Sequence, residues 1–245
     1  ICIDPEASPE WLHYASLLQK EIEQDTGFHL NINRNLPVFQ TPSILLKSTS
    51  GHSQQEYTLR IRESGILLTA SSNSGMLYAI QTLRQIIRQE GACLPGLDIH
   101  DFPVISNRGL YYDVTRSRIP TLSYLKKMAD TLSFYKINQL HLYIEHTYMF
   151  RNLSEVWRDD TPLTSSDILE LDRYCADLGI ELVPSIASFG HLYKILRTKS
   201  FRHLCEREDL CEEPFGFIDR MEHHTIDVSN EESFSFIWSL IEEYL

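Results

Sequence analysis

The sequence predicts an α/β protein in which a small N-terminal α+β domain is followed by an incomplete (β/α)8 TIM barrel. Two observations support this fold class. A helix, short strands and a second helix fill the first hundred residues, and strand and helix patterns then alternate. A connector bearing prolines, from Pro95 to Pro103, separates the two patterns. We therefore predict an N-terminal domain at residues 1–103 and a barrel part at residues 104–245.

The first domain shows a helix, a hairpin and another helix. Ser8, Pro9 and Glu10 are typical of a helix start, apolar residues then recur at helical spacing, and Gly27 predicts the helix end. Strand patterns follow at 43–47, 57–61 and 66–70. The last two are separated by a short turn with Gly65, as in a hairpin. Residues 73–88 return to a helical period. A small sheet covered by two helices is expected.

The second domain contains three strand patterns, at 108–114, 138–145 and 180–186. Thr121 predicts the start of the helix after the first strand. Thr164 and Asp167 form a capping-box pattern before the next helix, which Gly179 ends. A last helix is expected at 229–245. At roughly 31 residues per βα unit of a barrel, this domain holds about the first three to four units, and we predict that it is truncated before the fourth strand.

Composition and charge exclude several classes of function. The chain has 245 residues, 42% of them hydrophobic and 23% charged, which is typical of a folded protein and not of a disordered one. Its 22 basic and 34 acidic residues give a formal net charge of −12, which disfavours nucleic acids and anionic membranes. No apolar run approaches the roughly 18 residues of a membrane span. Small neutral or cationic molecules are the expected partners.

The cysteines bear on the compartment. There are five, an odd number, and they lack the close pairs that zinc sites use. We therefore expect reduced thiols and a cytoplasmic location. The first residue is not Met, so a removed signal peptide and secretion stay open.

Several segments resemble one family, in order and with the expected spacing. They are the run YTLRIRESGILLTASSNSGMLYAIQTLRQII and the later segments DFPVISNRGLYYDVTRSRIP, FYKINQLHLYIEHTYMF, LGIELVPSIASFGHL and HHTIDVSNEES. Together they resemble glycoside hydrolase family 20, the β-N-acetylhexosaminidases, from about residue 40 to the end. IEHTYMF and SFGHL are most similar to the hexosaminidase D branch.

The resemblance implies an exo-enzyme that removes terminal N-acetylglucosamine or N-acetylgalactosamine with retention and without metal or organic cofactor. In this family the substrate's acetamido group is the nucleophile, a Glu is the general acid and an adjacent Asp orients the acetamido group. That Asp-Glu pair ends the fourth barrel strand, and no adjacent Asp-Glu follows the third strand here. We expect the pair after Leu245, so the chain without the remainder of the barrel should be inactive.

The resemblance also assigns two residues to substrate binding. Arg108 matches the arginine that holds sugar hydroxyls, for which a planar guanidinium is well suited. The alternative is an ordinary salt-bridged arginine at a strand start. Asp113 matches an aspartate at the strand end, and a loop cap is an equally good interpretation.

Three further residues are candidates for a supporting role. His191 matches the histidine that follows the third strand, although a lone histidine is often structural. The family's Asp partner of that histidine is replaced by His146, which cannot orient another imidazole as a carboxylate does. Glu145, next to it, is the candidate substitute.

Other polar and aromatic groups receive a structural interpretation. His223 and His224 lack a third ligand at workable spacing, so no metal site is expected, and we predict that they lie in a solvated loop. Tyrosines on the strands are candidates for stacking on sugar or for packing. They are Tyr111, Tyr112, Tyr143 and Tyr148.

Two alternatives to the hexosaminidase hypothesis stay open. One is a noncatalytic carbohydrate-binding or scaffold protein derived from such an enzyme. The other is a barrel glycosidase of different specificity. The sequence does not decide between N-acetylglucosamine and N-acetylgalactosamine, which differ at one hydroxyl.

Overall fold

The structure is a computed structural model that describes residues 1–34, 42–116, 118–208, 216 and 224–245. The chain forms two compact units. The first comprises Ile1–Arg108, Asp130–Asn138 and Asp177–Gly179, and the second comprises Gly109–Ala129, Gln139–Ala176 and Ile180–Leu245. The sequence pattern, which placed one boundary after residue 103, did not indicate that two short later segments belong to the first unit.

A five-stranded sheet forms the first unit. Its strands are β1 (Cys2–Ile3), β2 (Ser43–Ser48), β3 (Tyr57–Arg62), β4 (Gly65–Ala70) and β5 (Leu97–Asp101), in the spatial order β1-β2-β4-β3-β5. β3 runs antiparallel to β4 and β5, so the predicted hairpin is confirmed. β5 lies in the segment that we predicted as a connector, and that prediction was wrong. Its side chains alternate only between half-buried and exposed, which gives a weak strand signal.

Two helices described within residues 1–108 are α1 (Glu10–Thr26) and α2 (Asn73–Glu90). α1 starts with Pro9 in the N-cap position and not with Ser8, whose hydroxyl bonds the Glu10 carboxylate instead. Gly27 ends it in the left-handed region, at φ 75°, as predicted. The apolar faces of both helices join one side of the sheet in a continuous buried core.

The second unit contains three adjacent parallel strands, which confirms the βα units predicted from the sequence. They are β6 (Gly109–Asp113), β7 (Gln139–Ile144) and β8 (Glu181–Ile186), in that spatial order. The helices of this part of the chain are α3 (Leu122–Phe134), α4 (Ser154–Trp157), α5 (Ser165–Asp177), α6 (Tyr193–Leu196) and α7 (Glu231–Tyr244). Within the described ranges, no helix is both long and apolar enough to cross a bilayer.

The predicted capping box opens α5. The backbone N–H of Thr164 donates to Asp167 Oδ2 over 2.9 Å, and the N–H of Asp167 donates to Thr164 Oγ1 over 3.2 Å. This reciprocal pair satisfies N–H groups that a helix start leaves unpaired.

The two faces of the β6-β7-β8 sheet differ in chemistry. On one face, the β7 residues Leu140, Leu142 and Ile144 are fully buried. The other carries Tyr111, His141 and Tyr143, whose rings lie 5.9 to 6.0 Å apart. Branched aliphatic residues fill this face in most (β/α)8 barrels, so the open face of this sheet is unusually polar and aromatic.

Candidate functional site

Polar side chains gather at the carboxyl ends of the three parallel strands. Asp113 is the last residue of β6 and Arg116 lies in the loop after it, while Glu145 directly follows β7 and His191 follows β8. Barrel enzymes place their active sites at this end of the strands. The register aligns Asp113 with Tyr143, and Tyr143 with Ser185, so the strand ends are level.

Glu145 is the centre of this cluster. Its side chain is only 9% exposed, and Oε1 accepts hydrogen bonds from Arg116 Nη1 at 2.6 Å and from the Tyr143 hydroxyl at 3.0 Å. Burial by itself lowers the pKa of the Arg116 guanidinium, but the hydrogen bond and charge of Glu145 outweigh it and raise that pKa. Arg116 is therefore a permanent cation, and both Glu145 Oε1 and the Thr115 hydroxyl accept hydrogen bonds from its Nη1.

His191 has the most exposed side chain of the cluster, at 43% against 38% for Asp113. Its Nδ1 lies 3.3 Å from Arg116 Nη2 and 3.6 Å from Glu145 Oε1. Its backbone has φ 62°, which is uncommon for a residue other than glycine. Hydrogen bonds fix both sides of it, because the N–H of Ile226 donates to the carbonyl of Phe189 and the N–H of Leu192 donates to the carbonyl of His224. Strain of this kind clusters at functional sites.

His146 takes a different position from the one that a partner of His191 needs. Its Nδ1 lies 3.8 Å from the second carboxylate oxygen of Glu145, whereas Oε1 of the same carboxylate is the one near His191. Burial, and secondly the charge of Lys194, lower the pKa of His146 to about 4, so it is neutral at pH 7. The structure thus brings Glu145, and not His146, to the histidine.

Asp113 forms the loop cap that was one of its two interpretations, whereas its substrate-binding role stays a prediction. Oδ1 accepts from the N–H and the hydroxyl of Thr115, at 2.7 and 2.6 Å, and so caps the loop. Oδ2 lies 3.9 Å from Arg116 Nη1. One carboxylate oxygen shapes the loop that carries Arg116, and the other adds negative charge beside it.

Arg108 lies at the opposite end of β6 and is saturated with partners from the first unit. Its Nε and Nη2 donate to the carbonyl of Lys136, at 2.9 and 2.8 Å, and Nη2 also donates to the Tyr78 hydroxyl at 2.9 Å. Nη1 donates to Gln55 Oε1 and to the carbonyls of Ile105 and Ser106. These contacts favour a structural role over the predicted sugar-binding role, which stays a prediction.

Arg116 is the residue that sequence reasoning missed. Its signal is positional, because it follows the strand-final Asp113 by three residues and so falls at the carboxyl end of β6, where barrel sites form. Arg108 directly precedes the same strand, at the amino-terminal end of the barrel strands. Residues at that end usually serve the stability of the fold and not catalysis.

The structure tests the solvated-loop prediction for one of the two adjacent histidines, His223 and His224. His224 was predicted to lie in a solvated loop, and this is wrong: it is fully buried and packs edge-on against Tyr193, with ring centroids 4.5 Å apart. It is buried because residues 224–226 form backbone hydrogen bonds with the loop that carries His191. His223 lies outside the described residues. Among the described residues, no group of three or more His, Cys, Asp or Glu side chains is placed to hold a metal ion.

The four candidate tyrosines have different surroundings. Tyr148 is buried and packs against Phe150 and Tyr244, at 4.8 and 5.0 Å between ring centroids. Tyr112 is half-buried beside Tyr124, and the Tyr143 hydroxyl donates a hydrogen bond to Glu145. Tyr111 is 59% exposed, so it is the tyrosine with the most surface for stacking.

Two models of one family together match most of the chain. The model of glycosyl hydrolase family 20, domain 2, matches residues 3–102, and the model of the family's catalytic domain matches residues 106–245. The chain belongs to glycosyl hydrolase family 20. The likeness to the hexosaminidase D branch stays a prediction.

Relatives and solved structures agree with this family. A β-hexosaminidase of Akkermansia muciniphila is 28% identical over 194 residues, which cover 70% of this chain and 36% of that protein. An N-acetyl-β-hexosaminidase of Streptomyces plicatus in complex with thio-NAglucal superposes with a TM-score of 0.81 at 21% identity, over 99% of this chain and 52% of that chain. An exo-β-N-acetylglucosaminidase of Vibrio harveyi in complex with N-acetylglucosamine gives 0.77 at 21% identity, over 99% and 40%. The family 20 chain therefore spans about a third to a half of the length of these relatives.

Proposed function

We propose that the protein containing this chain is an exo-β-N-acetylhexosaminidase that removes terminal N-acetylglucosamine or N-acetylgalactosamine from a glycan. The observation that supports this proposal best is the convergence of Arg116 and His191 on the buried Glu145, with Asp113 beside Arg116, at the carboxyl ends of the strands of a family 20 chain. The sugar-bound solved relatives, described with N-acetylglucosamine or thio-NAglucal, support a small sugar as the ligand.

Arg116 is the proposed clamp for the nonreducing end of the sugar. A planar guanidinium donates two parallel hydrogen bonds, which suits vicinal hydroxyl oxygens. Glu145 holds Nη1 at 2.6 Å, and the side chain is still 35% exposed. The buried carboxylate fixes the position of the guanidinium and so pre-organises it for binding a ligand.

The proposed reaction is substrate-assisted and retains the configuration at the anomeric carbon. The acetamido oxygen of the sugar attacks the anomeric carbon, the glycosidic bond breaks, and a general acid gives its proton to the leaving oxygen. Water then opens the cyclic intermediate. Arg116 and Asp113 hold the hydroxyls in place while the ring changes shape, and His191 lies beside them.

The general acid Glu and its Asp neighbour are proposed to follow residue 245. No Asp-Glu dipeptide follows β8 in the sequence, and the Streptomyces structure is about twice as long as this chain. On this proposal the 245-residue chain contributes the sugar clamp but not the proton, so by itself it is inactive.

The test uses a chromogenic β-N-acetylglucosaminide and the matching galactosaminide. We expect no release above buffer by the 245-residue chain, and release by a protein extended along the same reading frame through the rest of the barrel. Turnover by the short chain would contradict the assignment of the general acid. A folded, sugar-binding but inactive long protein would favour the noncatalytic carbohydrate-binding alternative.

A further inference from the structure

The two ring nitrogens of His191 have different surroundings. Nδ1 faces Arg116 Nη2 at 3.3 Å and Glu145 Oε1 at 3.6 Å. In the part of the chain that the structure describes, no residue hydrogen-bonds to Nε2, and 43% of the side chain is exposed. The ring is therefore anchored on its Nδ1 side and open on its Nε2 side.

The nearer neighbour determines which nitrogen carries the proton. A guanidinium has only N–H donors, so Nδ1 can form a hydrogen bond with Arg116 only by offering its lone pair. Glu145 Oε1, at 3.6 Å, is beyond hydrogen-bond distance of Nδ1. It already accepts from Arg116 Nη1 and from the Tyr143 hydroxyl. The carboxylate orients the arginine, and the arginine faces the imidazole.

The other groups around this pair do not reverse that preference. Asp113 lies 3.9 Å from Arg116 and caps its own loop. Burial, followed by the charge of Glu145, raises the pKa of Tyr143, so this hydroxyl stays a donor to the carboxylate. His146, whose pKa is about 4, is neutral at pH 7. The opposite charges of Arg116 and Glu145 largely offset each other, so the directional hydrogen bond decides.

We propose that Arg116, positioned by Glu145, donates to Nδ1 of His191 and thereby places the imidazole proton on Nε2, so that His191 presents a hydrogen-bond donor at the strand ends. A carboxylate bonded to Nδ1 would select the opposite tautomer and make Nε2 a base. With the proton on Nε2, His191 donates to a hydroxyl or to an oxygen that gains negative charge. This role toward a sugar rests on the proposed function, whereas the tautomer does not.

The tautomer is measured on the 245-residue chain by long-range ¹H–¹⁵N correlation NMR at about pH 7.5, near but above the ordinary histidine pKa. The ¹⁵N shift of each ring nitrogen reports whether it carries a proton. His191→Asn identifies the resonances, because asparagine tolerates the left-handed backbone at φ 62°. We expect a protonated Nε2 and an unprotonated Nδ1. A proton on Nδ1, alone or together with Nε2, would overturn the proposal.

Two arginine variants test the cause. Arg116→Met removes the donor that faces Nδ1 and leaves Glu145 as its polar neighbour, so we expect the proton to move to Nδ1. Arg118→Met is the matched control, because Arg118 is exposed and stacks over Tyr124 at 5.9 Å, and it should leave the His191 spectrum unchanged. If Arg116→Met leaves the proton on Nε2, Arg116 does not set the tautomer. The wild-type spectrum decides the tautomer even if a variant folds poorly, and it requires no turnover, so a failed hexosaminidase assay would not affect it.

Discussion

Arg108 and Arg116 flank the same short strand, β6, and the structure uses them in opposite ways. Each guanidinium nitrogen of Arg108 donates to backbone carbonyls or uncharged side chains of the first unit. Arg116 instead pairs with the buried carboxylate of Glu145 and with the exposed His191. The saturated Arg108 thus fixes backbone segments, whereas Arg116 presents a partly exposed guanidinium, held by a carboxylate, at the strand ends.

The neighbourhood of Arg108 supports this interpretation. Lys136, whose carbonyl accepts from Arg108, has a left-handed backbone at φ 60°, and its Nζ donates to the Tyr57 hydroxyl and to Asp101 at 2.8 and 3.0 Å. Nearby, the Ser133 hydroxyl accepts from buried Gln81 and donates to the carbonyl of Leu178. Hydrogen bonds thus tie both short later segments of the first unit to the rest of that unit.

Substitution of Arg116 should have the greatest effect, and this effect is on catalytic activity. In a protein extended through the rest of the barrel, Arg116→Met should lower kcat/KM about 100-fold, since two charge-assisted hydrogen bonds to the sugar are worth roughly 1.5 kcal/mol each. Arg116→Lys should recover little of it, because an ammonium lacks the planar fork. Steady-state kinetics on a chromogenic hexosaminide measure both, with Arg118→Met as the control. A kcat/KM of Arg116→Met within about twofold of the parent would contradict the proposed role of Arg116 in sugar binding.

The second effect is a pH dependence of stability near the Arg116 cluster. The folded-state pKa of His146 is about 4, below its ordinary value of 6.5. The unfolded chain therefore binds the proton more readily, and stability that is present above pH 6.5 is lost as the pH falls toward 4. The loss is roughly 3 kcal/mol at most.

Urea unfolding of the wild type and of His146→Gln, at about pH 7.5 and about pH 4.5, measures this loss. We expect the free energy of unfolding to differ less between the two pH values in His146→Gln than in the wild type. His13→Gln, the same change at an exposed position of α1, controls for the substitution itself. If the free energy of unfolding depends on pH equally in the wild type and in His146→Gln, His146 is not the group whose pKa is lowered by folding.

The third effect is a loss of stability at Arg108. Arg108→Ala should reduce the free energy of unfolding by about 2 kcal/mol, because hydrogen bonds from a charged donor to partly buried carbonyls are lost. The kcat/KM of the folded, extended protein should stay within about twofold of the parent. A tenfold or larger fall in kcat/KM without loss of stability would restore the sugar-binding role that the family resemblance implied.

The smallest effect concerns two glycines with similar backbones in the first unit. Gly179 has φ +69°, and an added Cβ would lie 2.6 Å from Leu77 Cδ2, whereas Gly27 has φ +75° and open space. Both alanine variants carry the backbone cost of about 1 kcal/mol. Gly179→Ala should cost a few tenths of a kcal/mol more, since a flexible Leu side chain can move aside. Equal urea midpoints for the two variants would show that residues 177–179 are not held closely against α2.

Periodicity and local chemistry were sufficient for most of the fold. The structure confirms the three strand patterns of the second unit, the capping box at Thr164 and Asp167 and the helix end at Gly27. Each of these signals depends on neighbours within a few residues. β5 escaped prediction because its position at the sheet edge leaves its side chains only half-buried. Buried His224 escaped because its backbone partners lie more than thirty residues earlier in the sequence.

The fold class, the order of most helices and strands, and the family could be predicted from the sequence alone, because these follow from patterns that short-range physics and family resemblance make visible. It also pointed to the strand ends, where Asp113, Glu145 and His191 lie. Which arginine joins them depends on the tertiary structure. Arg108 and Arg116 are the same residue type and flank the same strand. They differ in whether carbonyls or a buried carboxylate accept from the guanidinium, and those acceptors come from segments that are distant in the chain.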